Sequence, residues 1–265
     1  MKTKKLTKHA IDIAYRDEGQ GMPVVLLHGF CGSSAYFDEI VPLLRGKARL
    51  IVPDLPGHGQ SGTPTAPYPI ESFADDISEL IESLGIPKAI WFGHSLGGYV
   101  TLAAAERHAA GITAYGLIHS TAYPDDDKGK ETRLKSIQTI RDTGIQPFVD
   151  GLIPKLFAPE HVQTMVDKIE TAKKIGYTTT TEGAIRTLEA MRGRPDRNAV
   201  LEAVNCPILL VAGESDQIIK PDKTFSVNKD NITQVLIQGS GHMSMMEHPQ
   251  RLTDALLAFL SDINL

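Results

Sequence analysis

The stretch Ala89-Ile90-Trp91-Phe92-Gly93-His94-Ser95-Leu96-Gly97-Gly98 joins an apolar run to a helix-prone segment through a serine bracketed by glycines. It predicts a strand, a sharp turn and a helix. A side chain at such a turn is lifted clear of the sheet, and Gly93 and Gly97 remove the Cβ atoms that would collide there. This is the Gly-x-Ser-x-Gly pattern of a nucleophile elbow. Because the pattern is short, its meaning depends on whether the other parts of an acyl-transfer site follow along the chain.

The composition indicates a globular protein with a sizeable core. Of 265 residues, 42% are hydrophobic and 22% charged, which fits one domain plus an insertion. Lys and Arg number 27 against 32 Asp and Glu, so we expect no nucleic-acid partner. We also expect no membrane partner, because no apolar run approaches the ~18 residues of a membrane span. The N-terminus is not typical of a signal peptide, and the two cysteines fit a reducing compartment, so the prediction is cytoplasmic.

Hydrophobic patterning predicts a sheet that is largely parallel. Residues 9–16 alternate apolar and polar side chains, which is typical of a half-exposed strand near a sheet edge. Other short runs are continuously apolar, which is typical of strands covered on both faces. These runs are 24–27, 50–52, 89–92, 117–118 and 207–212, and a last strand is predicted at 234–237. Helical segments are predicted between or after them at 35–44, 70–84, 96–109 and 249–263.

Residues 122–198 interrupt this alternation. An acidic turn at 124–127 is followed by helical periodicity without a clear strand, as in Val162, Met165, Val166 and Ile169. We therefore predict a core of residues 1–121 and 199–265 that contains the sheet, with a helical lid insertion of residues 122–198.

A serine hydroxyl is a poor nucleophile at neutral pH, so Ser95 needs a base and an acid that orients the base. His242 follows the last predicted strand in a glycine loop, which places an imidazole over the carboxyl edge of the sheet. Surface or packing roles are predicted for His58, His94 and His248.

The orienting acid should also follow a strand at this edge. Asp216 does so and gives the chain order Ser, Asp, His that is typical of such sites. Glu214 and Asp222 are nearby rivals.

The negative charge of a tetrahedral intermediate needs two backbone N–H donors. Leu96, directly after the serine, is predicted to supply one of them. The second donor is expected from the glycine-containing loop after residues 24–27, with Phe30 favoured and Cys31 as the alternative. Cys31 has no evident base beside it, so it is expected to pack rather than react.

The whole chain resembles the α/β-hydrolase superfamily in its lidded esterase and lactonase branch. The resemblance rests on five ordered segments, at 28–30, 54–61, 93–98, 213–216 and 241–242. It implies a mostly parallel eight-stranded sheet with helices on both faces, a Ser95–His242–Asp216 triad, an oxyanion hole from Phe30 and Leu96, and no cofactor or metal. It also implies that residues 54–61 are structural or rim a pocket. A dehalogenase of this fold carries Asp as its nucleophile, and Ser95 argues against one.

The sequence therefore predicts a serine hydrolase acting on a small ester or lactone as a monomer or homodimer. Acyl transfer, thioester or amide cleavage at the same site, and a ligand receptor that keeps its triad remain alternatives. An apolar substrate pocket is predicted from residues near the catalytic positions and in the lid, namely His28, Gly29, His119, Phe148, Leu152, Leu156 and Met243. An anionic lactone would need a cation, which Arg133 or Arg141 supplies only if the lid folds it inward.

Overall fold

The computed structural model describes residues 1–263, which form an eight-stranded sheet flanked by helices. The strands are β1 (Lys2–Lys5), β2 (Asp12–Glu18), β3 (Met22–Leu27), β4 (Ala48–Pro53), β5 (Ala89–His94), β6 (Ile112–Ile118), β7 (Ile208–Gly213) and β8 (Ile232–Ile237). Their order across the sheet is β1-β2-β4-β3-β5-β6-β7-β8. Only the β1–β2 and β2–β4 pairs are antiparallel. The predicted fold class, an α/β-hydrolase fold, is confirmed.

The helices lie on both faces of the sheet. They are α1 (Val41–Leu44), α2 (Ile70–Ser83), α3 (Leu96–Arg107), α4 (Asp127–Thr143), α5 (Ile145–Leu152), α6 (Val166–Gly176), α7 (Thr181–Gly193), α8 (Asn198–Ala203), α9 (Pro221–Thr224), α10 (Ser244–Glu247) and α11 (Pro249–Asp262). One core packs α2 and α3 against residues such as Val25 and Trp91. The other packs α1 and α11 against alternate residues of the same strands, such as Val24 and Phe92.

Strands β4 to β7 carry apolar side chains on both faces because each face is covered by helices. Each fully buried aliphatic side chain stabilises the fold by about 1.5–3 kcal/mol relative to an exposed one. The parallel strands all present their carboxyl ends at one edge. The loops that leave this edge carry Phe30, Ser95, His119, Asp216 and His242.

Local elements differ from the prediction in a few places. Strand β1 was not expected, because its Lys-rich sequence has no apolar signal and it pairs only at the sheet edge. The single helix predicted over 35–44 is instead a 3₁₀ turn at Ser34–Phe37 followed by α1. Strand β6 begins five residues before the predicted 117–118 run.

The elements between Ser120 and α8 that the structure describes are all helices or helical turns. Helix α4 begins at an Asp126 cap that accepts a hydrogen bond from the Gly129 N–H, and α7 begins at a similar Thr180 cap. The helical pattern predicted from Val162 was wrong at its start, since α6 begins at Val166 and both valines are exposed. That residues 122–198 act as a lid stays a prediction.

Within residues 1–263, no helix is both long enough and apolar enough to cross a membrane.

Candidate active site

Ser95 occupies a strained turn between β5 and α3. Its backbone has φ 51° and ψ −112°, a conformation that residues other than glycine rarely adopt. A Cβ atom on Gly93 would lie 2.1 Å from the Gly97 carbonyl oxygen, and one on Gly97 would lie 2.3 Å from the Leu27 carbonyl oxygen. Both positions therefore require glycine, as the sequence pattern indicated.

His242 and Asp216 form a buried pair on the loops after β8 and β7. His242 Nδ1 lies 2.7 Å from Asp216 Oδ2. Asp216 Oδ1 accepts hydrogen bonds from the backbone N–H groups of Ile218 and Ile219, at 2.7 and 2.9 Å, which fix the carboxylate plane.

The two rival acids lie elsewhere. Glu214 is exposed and accepts a hydrogen bond from the Gly239 N–H at 3.0 Å. Asp222 is exposed in the first turn of α9. Of the three carboxylates, Asp216 is the one whose side chain meets an imidazole of this site.

The Asp216 carboxyl stays ionised despite its burial. Burial by itself raises the pKa of Asp216, but the neighbouring His242 and His119 together bring that pKa well below its ordinary value. An ionised acceptor favours the tautomer in which His242 Nδ1 carries the proton. Nε2 of that ring is then available to accept a proton.

Two more buried histidines surround this pair. His94 Nε2 donates to the His242 carbonyl oxygen at 2.8 Å, and burial holds the pKa of His94 well below its ordinary value. His119 Nε2 lies 2.7 Å from Ser244 Oγ, while its Nδ1 lies 3.4 Å from Asp216 Oδ2. These contacts could not be predicted from the sequence, because three separate loops bring the rings together.

Ligand atoms of His119, Asp216 and His242 lie within 4.8 Å of one another, so this donor set also has the composition of a metal site. Two imidazoles and one carboxylate suit a first-row transition metal. The short hydrogen bond between His242 and Asp216 already joins two of the three ligands directly.

The loop after β3 passes directly against the serine. A Cβ atom on Gly29 would lie 2.7 Å from His94 Nδ1 and 3.3 Å from Ser95 Cβ. The loop is fixed by His28, whose Nδ1 donates to the Gly29 carbonyl while Nε2 accepts from the Leu55 N–H. Burial lowers the pKa of His28 to about 4, so this histidine is neutral and holds the loop in place. Cys31 is fully buried, and burial raises the pKa of its thiol.

The loop at residues 54–61 is held by its own hydrogen bonds. Asp54 accepts from the N–H groups of Ser34 and Gln60, and the Ser61 hydroxyl donates to the Asp54 carbonyl. These contacts attach the loop to its neighbours.

A small cavity of about 60 Å³ lies over the serine. It is lined by Phe30, His94, Ser95, Tyr99, Arg133, Leu152, Leu156, Met191, Ile218 and His242. Leu152 and Leu156 were among the predicted pocket residues. Tyr99, Met191 and Ile218 were not expected, since each comes from a different element and carries no local signal.

The other predicted pocket residues lie behind this lining. His28 and Met243 are completely buried, and His119 contacts Asp216 and Ser244. Phe148 packs edge-on against Phe30, with ring centroids 6.0 Å apart.

A larger cavity of about 510 Å³ adjoins the first and has Tyr99, Arg133 and Ile218 in common with it. Its other lining residues are mostly polar or charged, namely Thr121, Tyr123, Pro124, Asp125, Asp126, Arg194, Asp196, Ile219 and Lys223. Arg133 and Arg194 both pair with Asp125, at 3.0 and 2.8 Å. Arg141, the other candidate cation, is exposed and lines neither cavity.

Comparison with known proteins finds relatives that align over most of the chain. A family model described as the alpha/beta hydrolase fold matches residues 22–128. The chain is 27% identical to 2-(acetamidomethylene)succinate hydrolase of Mesorhizobium japonicum, covering 94% of this chain and 92% of that protein. It is 24% identical to 3-oxoadipate enol-lactonase 2 of Acinetobacter baylyi, covering 98% and 97%.

Solved structures agree with this similarity. A thermophilic esterase from Thermogutta terrifontis, with malate bound, superposes with a TM-score of 0.94 at 29% identity, covering 100% of this chain and 99% of that one. The enol-lactonase from Burkholderia xenovorans has a TM-score of 0.87 at 23% identity, covering 95% and 97%, and this likeness shows a shared fold.

Proposed function

Because the chain belongs to the α/β-hydrolase superfamily, we propose that it is a serine hydrolase that cleaves small carboxylic esters or lactones. In this proposal Ser95 is the nucleophile, His242 the general base and Asp216 the acid that orients it. One observation carries it: Ser95 and His242 line the same cavity, and His242 Nδ1 is hydrogen-bonded to Asp216 Oδ2 at 2.7 Å. The esterase and lactonase relatives support the ester-bond chemistry.

The reaction follows from the proposed protonation states. His242 Nε2 takes the Ser95 hydroxyl proton as the oxygen attacks the substrate carbonyl, and Asp216 stabilises the imidazolium that forms. Collapse of the tetrahedral intermediate passes that proton to the leaving alkoxide and leaves an acyl group on Ser95. Water, deprotonated by His242, then attacks the acyl group and regenerates the serine.

We propose that the backbone N–H groups of Leu96 and Phe30 hold the developing oxyanion. Leu96 is the first residue of α3, where N–H groups have no partner within the helix and the helix dipole favours negative charge. Phe30 follows Gly29, whose backbone lies against Ser95. Each such donor lowers the barrier by about 2.7–4 kcal/mol.

The small cavity favours a short acyl group. Its volume is about 60 Å³, and Phe30, Leu152, Leu156, Met191 and Ile218 give it a largely apolar wall. A leaving group would extend into the adjoining cavity of about 510 Å³, which is larger and has several charged side chains in its lining.

A carboxylate-bearing ester or lactone is the second candidate substrate, and Arg133 favours it. This arginine lines both cavities, and the hydrogen bond to Asp125 uses only its Nε, so the Nη groups remain to bind an anion. The malate in the related esterase and the succinate derivative named for the related hydrolase are both carboxylates, which supports the same candidate.

A substrate screen tests the proposal. Purified protein would be assayed with esters, lactones, thioesters and amides, and the acyl-enzyme would be trapped and mapped by mass spectrometry. We expect rapid multiple turnover of short esters or lactones and an adduct on Ser95. Preferred thioester or amide cleavage would point to the alternative acyl chemistry, and slow turnover with tight ligand binding would point to a receptor.

The proposal also includes the lid, the cellular location, the oligomeric state and the partners of the protein. We keep the lid role of residues 122–198, a cytoplasmic location, and a monomer or homodimer without a nucleic-acid or membrane partner as predictions. Light scattering of the purified protein tests the oligomeric state.

A further inference from the structure

A buried carboxylate, Glu247, joins the loop that carries His242 to the segment of residues 156–161. Glu247 lies on α10, five residues after His242, and is 5% exposed. Its Oε1 accepts hydrogen bonds from the Ala158 N–H at 2.7 Å and from His161 Nδ1 at 2.8 Å. Its Oε2 accepts from the Met243 N–H at 3.1 Å. The Glu247 carboxylate therefore connects the loop that carries His242 to residues 156–161.

The backbones of the two segments are in direct contact as well. The His242 N–H donates to the Leu156 carbonyl oxygen at 2.7 Å. A Cβ atom on Gly241 would lie 2.3 Å from the Ala158 nitrogen, so only glycine lets the chains approach this closely. The His242 main chain is thus pinned on one side by residues 156–158 and on the other by His94, which donates to its carbonyl.

The loss of the Glu247 hydrogen bonds should cost considerable free energy. Hydrogen bonds to an ionised carboxylate are about twice as strong as neutral ones, and the cost of leaving buried donors unpaired is high. Glu247 is not among the residues that line either cavity over the site, so contact with a substrate does not explain its position. Its hydrogen bonds connect Met243, the residue after His242, to Ala158 and His161.

We propose that Glu247 is a positioning residue that holds the His242 imidazole in line with Ser95 by fastening its loop to residues 156–161. This inference rests on the proposed function, because it concerns the base of that reaction. It also implies that residues 156–161 stay attached to the core during turnover. Substrate then enters from the side of the larger cavity, between Tyr99, Arg133 and Ile218.

Kinetics of Glu247 variants provide the first test. A loop displaced by about 1 Å costs on the order of 10²-fold in rate, so we expect Glu247→Ala to lower kcat by about that factor with KM changed about twofold or less. Glu247→Gln keeps one acceptor oxygen and should recover part of the loss. Glu160→Gln, an exposed carboxylate in the same segment, is the matched control and should keep wild-type kcat. All assays are run well below the melting temperature of each variant.

A spectroscopic readout separates positioning from stability and from substrate choice. The proton that His242 Nδ1 shares with Asp216 should give a low-field NMR resonance in wild type, and we expect it to broaden or move in Glu247→Gln and in His161→Gln. This measurement needs no turnover, so it tests the positioning role even if the screen finds no ester substrate. If Glu247→Ala does not fold, the Gln variants carry both tests. Unchanged kcat and an unchanged resonance in the folded variants, with only a lower melting temperature, would overturn the proposal.

Discussion

The strain at Ser95 is the most local cost of this site. A residue other than glycine in such a conformation costs about 1–3 kcal/mol, and here the packing of Gly93 and Gly97 against neighbouring backbone maintains it. The strain lifts the hydroxyl from the end of β5 into the cavity that His242 also lines. The strained turn therefore lowers the stability of the fold but places the Ser95 hydroxyl in the cavity.

Removing that oxygen should separate activity from stability. We expect Ser95→Ala to abolish measurable turnover and labelling by an organophosphonate, because the nucleophile is lost, while thermal unfolding stays nearly unchanged. Ser95→Gly should unfold at a higher temperature than Ser95→Ala, since glycine accepts the positive φ without strain. Peptide mapping of the phosphonate adduct and calorimetry measure the two effects. An adduct on another serine, or an active Ser95→Ala, would contradict the assignment.

Neutralising Asp216, the proposed orienting acid, should lower kcat far more than neutralising Glu214 or Asp222. Asp216→Asn permits the wrong imidazole tautomer, so we expect kcat to fall by about 10⁴-fold. Glu214→Gln and Asp222→Asn are matched controls, because both carboxylates are exposed and neither contacts His242. Steady-state kinetics of the three variants decide the matter, and an inactive Glu214→Gln or Asp222→Asn would mean that another carboxylate orients the base.

At the scale of single residues, the sequence predicts the position of those residues that come directly after a strand. Ser95, Asp216 and His242 each follow a recognisable apolar run, so their gathering at one sheet edge could be predicted. The contacts of His94 and His119 with these residues could not, because they depend on how separate loops pack. For the same reason Tyr99, Met191 and Ile218 went unnoticed as lining residues.

Among the elements, the β5–α3 elbow depends on a close backbone approach. Because a Cβ atom on Gly93 would overlap the Gly97 carbonyl, we expect Gly93→Ala to lower the free energy of unfolding by about 1–3 kcal/mol or more. Gly111→Ala is the control, since a Cβ there meets no atom within 4 Å. Urea denaturation of both variants measures the difference. Equal stability of the two variants would show that the elbow relaxes without cost.

Helix α2 carries a buried carboxyl whose titration should be visible in stability. Burial raises the pKa of Asp76 from its ordinary 3.8 to about 6, and this effect exceeds the opposing hydrogen bond from His9. Between these two pH values the folded protein holds a proton that the unfolded chain has released. This carboxyl therefore contributes most to stability below about pH 4, and the contribution is lost as the pH rises through 6.

Replacing Asp76 by Asn should remove this dependence. One pKa unit corresponds to about 1.4 kcal/mol, so from about pH 4 to 8 wild type should lose on the order of 1–3 kcal/mol relative to Asp76→Asn. Denaturant titrations at several pH values measure the difference. The exposed Asp12→Asn variant should parallel wild type, and a parallel curve for Asp76→Asn as well would contradict the expectation.

How well an element could be predicted depends on where its stability originates. Strands β3 to β7 are stabilised by burial on both faces, so their apolar runs identify them. Strand β1 has the sequence Lys-Thr-Lys-Lys and exists through backbone pairing with β2, which leaves no trace in side-chain polarity. The pattern over 162–169 misled for the opposite reason, since Val162 and Val166 have helical spacing but remain exposed, whereas Ile169 is buried.

For the whole molecule, the proposed function assigns different parts of a substrate to two adjoining cavities. The cavity over Ser95 holds about 60 Å³ and is mostly apolar, whereas its neighbour holds about 510 Å³ and contains Arg133, Arg194 and Asp125. The chain carries a net charge of −5, so an anionic substrate would meet unfavourable charge at long range and needs a local cation. Arg133, at the boundary between the cavities, meets that need.

An acyl-chain series probes the smaller cavity. With straight-chain nitrophenyl esters, each methylene that the cavity buries should add up to about 0.8 kcal/mol, or about fourfold, to kcat/KM. Because the cavity is small, we expect the rise to stop and reverse within the short-to-medium range. Activity that keeps climbing to long chains would contradict an enclosed acyl site.

Esters that carry a free carboxylate probe the boundary between the cavities. A hydrogen bond to a charged group contributes about 1.5–3 kcal/mol, so Arg133→Met should lower kcat/KM for a dicarboxylic acid monoester by roughly 10–100-fold. The same variant should leave a neutral ester of equal length nearly unaffected, because Met preserves the apolar stem. Arg141→Met, on the exposed face of the same helix, is the matched control and should change neither substrate. Should Arg133→Met affect both substrates equally, the arginine shapes the cavity through Asp125 and does not bind the carboxylate, and neutral short esters remain the favoured class.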